Sequence, residues 1–170
     1  MNEANESLLL ETARYVAVRR LQNAYADVVT RRAWPELADL FLPDAVVEID
    51  KRDGDPLRLV GPGAVGDFIG AAIAGFSFFE FVILSSRIEI APGGDETRAN
   101  ARMYMCELRL EADSGRFTQA YGVYHDEHRA VDGSWFFAGR RYHSLARTNL
   151  DDGPDLDVFG FPHHLRLDHT

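Results

Sequence analysis

The sequence predicts an α+β domain in which three helices precede a curved, mostly antiparallel sheet. Two segments carry this prediction. From Trp34 to Asp50, a short helix ending in Leu-Phe is followed by a Pro-Asp turn and an alternating strand. From Tyr121 to His143, two strands flank an Asp-Gly turn, which is a strong hairpin signal. Helices followed by a run of strands are typical of an α+β layout.

The three helices are predicted from periodicity and from their first residues. Residues 5–32 form the first, because apolar side chains recur at steps of one, three or four and no Gly or Pro interrupts them. The second, a short one, begins at Trp34, since Pro35 is tolerated in a first turn and Glu36 suits the positive end of the helix dipole. The third is expected over residues 64–74, with an apolar side formed by Val65, Phe68, Ile69 and Ile73.

The strands are predicted from alternation and from the turns between them. Two short strands are expected before the third helix, at residues 45–50 and 57–60. Beyond it the pattern is β, with long strands expected at residues 78–90, 97–112, 117–131 and 135–147. Long strands joined by short turns indicate an antiparallel meander.

The length of 170 residues fits one core of ordinary size. We expect a single domain over residues 1–148, followed by an irregular tail over residues 149–170 that contains the acidic run D-D-G-P-D-L-D. The tail also holds apolar residues that can dock on the body or on a partner, namely Val158, Phe159 and Phe161.

The composition is that of a soluble globular protein, with 46% hydrophobic and 26% charged residues. The net charge of −9 disfavours a nucleic-acid partner, because phosphate binding needs a basic face. No apolar run reaches the roughly 18 residues of a membrane span, so no membrane partner is expected. The N-terminus is acidic where a signal peptide is basic, and one cysteine allows no internal disulfide. These features favour the cytoplasm.

Two runs resemble a known superfamily, namely W-P-E-L-A-D-L-F-L-P-D-A-V-V-E-I-D and Y-G-V-Y-H-D-E-H-R-A-V-D-G-S-W-F-F-A-G-R-R-Y-H. Preceded by a long helix, they are similar to the nuclear transport factor 2-like superfamily, and within it to the SnoaL-like and scytalone dehydratase-like branch. The resemblance covers residues 10–147 by pattern. It implies a cone-shaped fold, in which the sheet curls around an apolar pocket and the helices close its narrow end.

The resemblance also implies how such a protein works and assembles. In the dehydratases of the branch, a Tyr/Asp/His set in the pocket moves protons without a cofactor, so no cofactor is expected here. Members commonly pair through the outer face of the sheet, which implies a homodimer. The last strands carry apolar side chains on both faces, since Phe136, Ala138 and Tyr142 lie opposite Trp135 and Phe137.

The site positions of the branch mostly carry other residues in this chain. In chain order, its helical Asp, a strand Tyr, two catalytic His and two polar ligand-binding positions fall on Thr30, Ile49, Phe81, Cys106, Gly122 and Tyr124. Glu107 lies one step from the second His position. The familiar acid-base set is therefore not carried over. Either other residues perform the chemistry, or the pocket only binds.

Tyr25 and Asp126 are the candidates for replacing that set. Tyr25 lies on the apolar stripe of the first helix, where the superfamily often keeps a pocket tyrosine; the alternative is a core aromatic. The period of two places Tyr124, Asp126 and His128 on one face of their strand, near where the steroid-isomerase relatives hold a carboxylic acid. Buried beside Tyr124, Asp126 would have a raised pKa and donate to a carbonyl oxygen. The alternative is an exposed strand acid.

Arg141 and His143 are expected near the mouth of the pocket. Alternation places His143 on one face with Trp135, Phe137 and Arg141, where an Arg-His pair can hold an anionic or carbonyl group; surface charge is the alternative. Cys106 has no second cysteine to join it, and no His spacing suits a metal ligand set. No metal is therefore predicted.

Three classes of function remain open. The first is a cofactor-free dehydratase, isomerase or cyclase acting on an apolar oxygenated ring compound such as a polyketide or steroid. The second is a module that binds such a compound without changing it, which suits the apolar character of the mapped positions. The third is a structural small subunit of a ring-hydroxylating dioxygenase, since such subunits share this fold and size. In the first two, the partner is a small apolar molecule.

Overall fold

The computed structural model describes residues 2–50, 52, 54–148 and 156–159. The fold is α+β, with helices packed against a curved, mixed seven-stranded sheet. Within the described chain, no helix is both long and apolar enough to cross a membrane. The predicted fold class is confirmed.

The first helix, α1, spans Glu3–Arg31. Its first turn is capped by Asn2, whose side chain accepts a hydrogen bond from the Asn5 backbone N–H at 3.0 Å. Its last turn ends at Arg32, which adopts the left-handed conformation with φ 58°. Only the C-terminal half of α1 is buried, and it packs on the sheet through Val18, Leu21, Gln22, Tyr25, Val28 and Val29.

The other two predicted helices are both present, and they pack on each other. The second is a 3-10 helix at Trp34–Asp39 with Pro35 in its first turn. The third, α2, spans Gly61–Ala72 and begins before the predicted residue 64. Gly66 and Gly70 allow the close approach, because a Cβ added at either would lie 3.2 or 3.1 Å from Trp34. This contact fixes α2 beside the sheet.

The strands follow the predicted meander closely. They are β1 at Phe41–Ile49, β2 at Leu57–Val60, β3 at Phe76–Ile90, β4 at Arg98–Glu111, β5 at Phe117–Val131, β6 at Ser134–Thr148 and β7 at Leu156–Val158. The order is β2-β1-β6-β5-β4-β3, with β7 also paired to β6. All of these pairs are antiparallel except β1 with β6.

The sequence predicted an irregular tail, and this prediction is wrong for residues 156–158. Leu156–Val158 forms β7 on the end of β6, and the Phe159 N–H donates to the Leu145 carbonyl at 2.8 Å. The Phe159 ring lies under the guanidinium groups of Arg52 and Arg147, at 4.2 and 5.2 Å. This aromatic residue therefore docks on the body, while Phe161 lies outside the described residues.

Two β-bulges in β6 decide which of its side chains face the core. Ala138 has no partner in β5, because Glu127 pairs with Gly139 and His128 pairs with Phe137. A second irregularity follows, in which Tyr121 pairs with Ala146 and Gly122 with Ser144, so Leu145 is the extra residue. Each bulge reverses the alternation of faces.

The inner face of β6 therefore differs from the predicted one. The inner face, which packs against α1, receives Phe137, Arg140, Tyr142, Ser144 and Arg147. The predicted grouping of Arg141 and His143 with Phe137 is wrong, as is the placement of Tyr142 on the outer face. The cause is the single extra residue Ala138.

The core lies between α1 and the inner face and is rich in aromatic residues. The Tyr25 ring meets four others edge-on, at centroid distances between 5.4 and 6.4 Å: Phe41, Phe81, Tyr124 and Phe137. Edge-to-face pairs of this kind contribute about 0.5–1.5 kcal/mol each beyond the area they bury. Tyr25 is thus both the centre of the core and, through its hydroxyl end, part of the site described next.

Candidate functional site

A pocket of about 250 Å³ opens between α2 and the inner face of the sheet. Its α2 wall is apolar and consists of Val65, Phe68, Ile69, Ala72 and Ile73. Its sheet wall is polar and carries Glu107, Arg109, Tyr124, Arg140, Tyr142, Ser144 and Arg147. An apolar wall facing a few convergent polar groups is the usual character of a small-molecule site.

Gly122 makes room for one of these polar groups. It pairs with Ser144, and a Cβ built on it would lie 2.3 Å from the ring of Tyr142. Only glycine therefore lets the Tyr142 ring approach β5 this closely. The resemblance had placed a polar ligand-binding position at Gly122, and in this chain the Tyr142 ring fills that space instead.

Glu107 is the carboxyl group that faces the pocket. Burial raises its pKa above the ordinary value, and the Arg109 guanidinium, 3.7 Å away, works in the opposite direction. The side chain nevertheless keeps 22% of its exposure, because it borders the pocket. A carboxyl group with a raised pKa that a ligand can reach is suited to take up or give a proton near neutral pH.

Three phenols line the same pocket as this carboxyl group. Burial raises the pKa of Tyr25, Tyr124 and Tyr142, and the nearby Glu107 raises all three further. The Arg140 cation opposes the rise at Tyr25 and Tyr124. All three hydroxyls therefore keep their protons at neutral pH and act as hydrogen-bond donors.

Arg140 and Asp126 form a buried ion pair behind the phenols. The Arg140 Nε and Nη2 donate to the two carboxylate oxygens of Asp126, at 2.7 and 3.3 Å. The guanidinium carbon also lies 4.0–4.4 Å from the ring centroids of Tyr124, Tyr25 and Phe137. This cation holds the two tyrosine rings in place through cation–π contacts.

Four of the nine predicted site residues line the pocket, and five do not. Tyr25, Ile49, Phe81 and Tyr124 do. Thr30 instead accepts a hydrogen bond from the Phe81 N–H at 3.0 Å, which ties α1 to β3. Cys106 is the Cα partner of Tyr121 and takes the opposite face of β4 from Glu107. For Thr30 and Cys106, the expected position in the pocket is wrong.

The remaining predicted residues lie on other surfaces. Asp126 is buried on the face predicted for it, but it is bound to Arg140 and borders a different, wider groove of about 530 Å³ that is shared with outer-face residues. Arg141 pairs with Glu48 at 2.8 Å on the outer face. The Nδ1 atom of His143 lies 3.5 Å from the Asp50 carboxylate. Neither Arg141 nor His143 borders the pocket.

The sequence did not predict six polar residues of the sheet wall as site residues, namely Glu107, Arg109, Arg140, Tyr142, Ser144 and Arg147. The second catalytic His position of the branch was mapped to Cys106, one residue before Glu107. Because neighbours in a strand face opposite sides, this difference of one residue placed the expected site on the wrong face. The available signal was a single carboxylate within the apolar run M-Y-M-C-E-L. Arg140 and Tyr142 could not be found in this way, because the bulge at Ala138 leaves no mark in the sequence. Among the described residues, no group of three His, Cys, Asp or Glu side chains is arranged to hold a metal ion.

Residues 11–141 match the SnoaL-like domain, so the chain belongs to the SnoaL-like family. Its structure is similar to a putative scytalone dehydratase from Novosphingobium aromaticivorans, with 20% identity and a TM-score of 0.73 over 90% of this chain and 97% of that one. It is also similar to the hexachlorocyclohexane dehydrochlorinase LinA-type3 from Novosphingobium barchaimii, with 19% identity and a TM-score of 0.71 over 91% and 99% of the two chains. Among proteins with curated functions, none matches this chain.

Proposed function

We propose that the protein binds a small, apolar, oxygenated ring compound in this pocket and moves a proton on it, as a cofactor-free lyase or isomerase. The observation that carries the proposal is Glu107, a carboxyl group with a raised pKa that faces a pocket with an apolar opposite wall. Its neighbours in the pocket are phenols that stay protonated. A proton acceptor beside fixed donors is the minimal equipment for proton transfer next to a carbonyl group.

The chemistry divides between the carboxyl group and the phenols. The ionised Glu107 takes a proton from the carbon next to a ligand carbonyl, while the phenols donate hydrogen bonds to the oxygen on which negative charge develops. In an isomerase the same carboxyl group returns the proton to another carbon. In a dehydratase a carbon–carbon double bond forms, and the hydroxyl group leaves as water after taking that proton.

The structural relatives support the choice of ring compounds and elimination. The names of those described above denote loss of water and loss of hydrogen chloride. At about one-fifth identity these relatives establish the fold, so the reaction itself is argued from Glu107 and its surroundings.

A non-catalytic binding module is the second candidate. It is favoured by Arg109, whose cation lies 3.7 Å from Glu107 and forms an ion pair with it. It is also favoured by the absence of the dehydratases' histidines at their mapped positions, which carry Phe81 and Cys106. In that case the pocket would retain its ligand unchanged.

Glu107→Gln separates the two candidates. A panel of small cyclic hydroxyketones and unsaturated ketones is first screened by thermal-shift binding, and those that bind are assayed for turnover. For an enzyme, Glu107→Gln is expected to lower turnover by about a hundredfold or more while binding persists. Glu80→Gln, which changes an exposed acid on β3, is the matched control. Binding without turnover across the panel would favour the binding module, and unchanged turnover in Glu107→Gln would remove Glu107 from the mechanism.

A further inference from the structure

Two arginines converge at one end of the polar wall. Arg109 on β4 and Arg147 on β6 flank β5, and both line the pocket. Both act on the same group, since each opposes the rise in the pKa of Tyr142. Their charges and the Tyr142 hydroxyl therefore meet in one region of the site.

The part of β5 that lies between these groups carries small side chains. Ala120 on β5 pairs with Glu107 on one side and with Arg147 on the other. Its methyl group is the only side chain between them in this cross-strand row, and Gly122 follows on the same face. The Tyr142 ring occupies the space above Gly122, whereas the small side chain of Ala120 leaves space that a longer side chain would fill.

The positive charge in this region is incompletely balanced. The described carboxyl group nearest to Arg109 is Glu107, which at 3.7 Å is too far away for a hydrogen bond, and the buried Arg109 Nε has no hydrogen-bond partner among the described residues. No ion pair joins Arg147 to a described carboxylate, although Asp157 is its Cα partner on β7. Arg52 and Asp50, also in the pocket lining, lie 3.9 Å apart and offset each other. The cationic patch stands out in a chain whose net charge is −9.

From this geometry we infer that the ligand carries a carboxylate group, which sits above Ala120 and is bound by Arg109, Arg147 and the Tyr142 hydroxyl. The apolar body of the ligand then lies against α2. Guanidinium groups suit a planar carboxylate because they donate two parallel hydrogen bonds. This inference rests on the proposed function only in using the same pocket as a ligand site.

The inference is tested with ligands that differ in one charge. Binding of benzoate and cyclohexanecarboxylate is compared with that of their methyl esters and primary amides by titration calorimetry. The acids are expected to bind at least about tenfold more tightly than the esters. Raising the salt concentration should weaken binding of the acids and leave the esters unchanged.

Arginine variants locate the effect. Arg109→Gln and Arg147→Gln are each expected to weaken acid binding about tenfold and to leave ester binding unchanged, while Arg147→Lys keeps part of the preference. Arg87→Gln, on the opposite face of β3, is the matched control, and thermal melting verifies that each variant is folded.

Two results would overturn the carboxylate seat, by which we mean the site above Ala120 formed by Arg109, Arg147 and the Tyr142 hydroxyl. The two results have different consequences for the pocket as a whole. Equal binding of acids and esters removes the seat alone and leaves the pocket as a site for uncharged rings. No binding of either class at millimolar concentration, if the ketone panel also fails to bind, removes both the seat and the proposed function.

Discussion

Glu107 and Asp126 are both carboxylates on the inner face of the sheet, yet their surroundings separate their roles. The Asp126 side chain is fully buried, and both of its oxygens accept hydrogen bonds from Arg140. Glu107 reaches the pocket, and its ion pair with Arg109, at 3.7 Å, contains no hydrogen bond. A carboxylate with both oxygens engaged in a buried pair stabilises the fold, whereas one facing a cavity is free to exchange a proton.

Asp126→Asn is therefore expected to act on stability. It would leave the Arg140 cation buried without its counter-charge, which costs about 3–5 kcal/mol in the free energy of unfolding. Glu107→Gln is the matched control and should change this free energy far less, because its partner is 3.7 Å away and the pocket admits water. Urea unfolding at neutral pH measures both. Equal destabilisation by the two substitutions would contradict the division of roles.

Gly122→Ala tests the packing of Tyr142. The added methyl group would overlap the Tyr142 ring, so the ring must leave its position and the pocket must change shape. We expect a loss of about 1–3 kcal/mol in stability, together with weaker ligand binding. Gly139→Ala is a suitable control, because its nearest contact would be 3.7 Å, an ordinary van der Waals distance. If ligand binding survives Gly122→Ala unchanged, Tyr142 is not part of the ligand site.

At the scale of elements, the sequence predicted which segments are strands but not which way their side chains face. β2 and β5 have the predicted bounds, β1, β3, β4 and β6 differ from theirs by at most four residues, and β7 was not predicted. Turn residues and alternation determine such bounds locally. A bulge is different, since a single extra residue such as Ala138 reverses every later side chain without altering the composition of the strand.

The site was predicted less well than the fold for that reason. Tyr25 was found from the apolar stripe of the first helix. Ile49 and Phe81 were found from the mapped site positions of the branch, and Tyr124 was found from those positions and the strand period. Glu107 was missed through an error of one position, and Arg140 through one bulge. Since faces alternate with every residue, an error that is harmless for the fold is sufficient to exchange a buried group for an exposed one.

Deletion of Ala138 is expected to disrupt the sheet wall of the pocket. Without the extra residue, either Phe137 or the Arg140–Tyr142 segment must turn to the outer face, and both contribute to the core or the site. The deletion variant should lose cooperative thermal unfolding or ligand binding, as followed by circular dichroism and titration. Ala138→Ser keeps the residue count and should behave like the parent. A deletion variant with parent-like stability and binding would mean that the bulge does not set the face.

At the scale of the whole molecule, acid stability combines two opposing effects. The chain carries a net charge of −9, so moderate acidification reduces repulsion among its carboxylates and favours the folded state. A buried histidine acts in the other direction. His128 is 1% exposed, lies 5.0 Å from the Phe137 ring and has a pKa lowered to about 4 by burial; the nearby Asp126 opposes this shift and Arg140 adds to it.

The sign of the His128 contribution follows from which state binds the proton first. In the unfolded chain His128 protonates near its ordinary value of 6.5, whereas in the folded protein it stays neutral down to about 4. Its contribution to stability is therefore complete above pH ~6.5 and is lost progressively as the pH falls toward ~4, by about 3 kcal/mol in total.

We expect the parent protein to lose about 2 kcal/mol more than His128→Leu between pH 7 and pH 5, measured as the free energy of urea unfolding. The repulsion among carboxylates is common to both proteins and cancels in this comparison. Parallel pH profiles for the two proteins would show that the pKa of His128 in the folded protein is not lowered from its ordinary value.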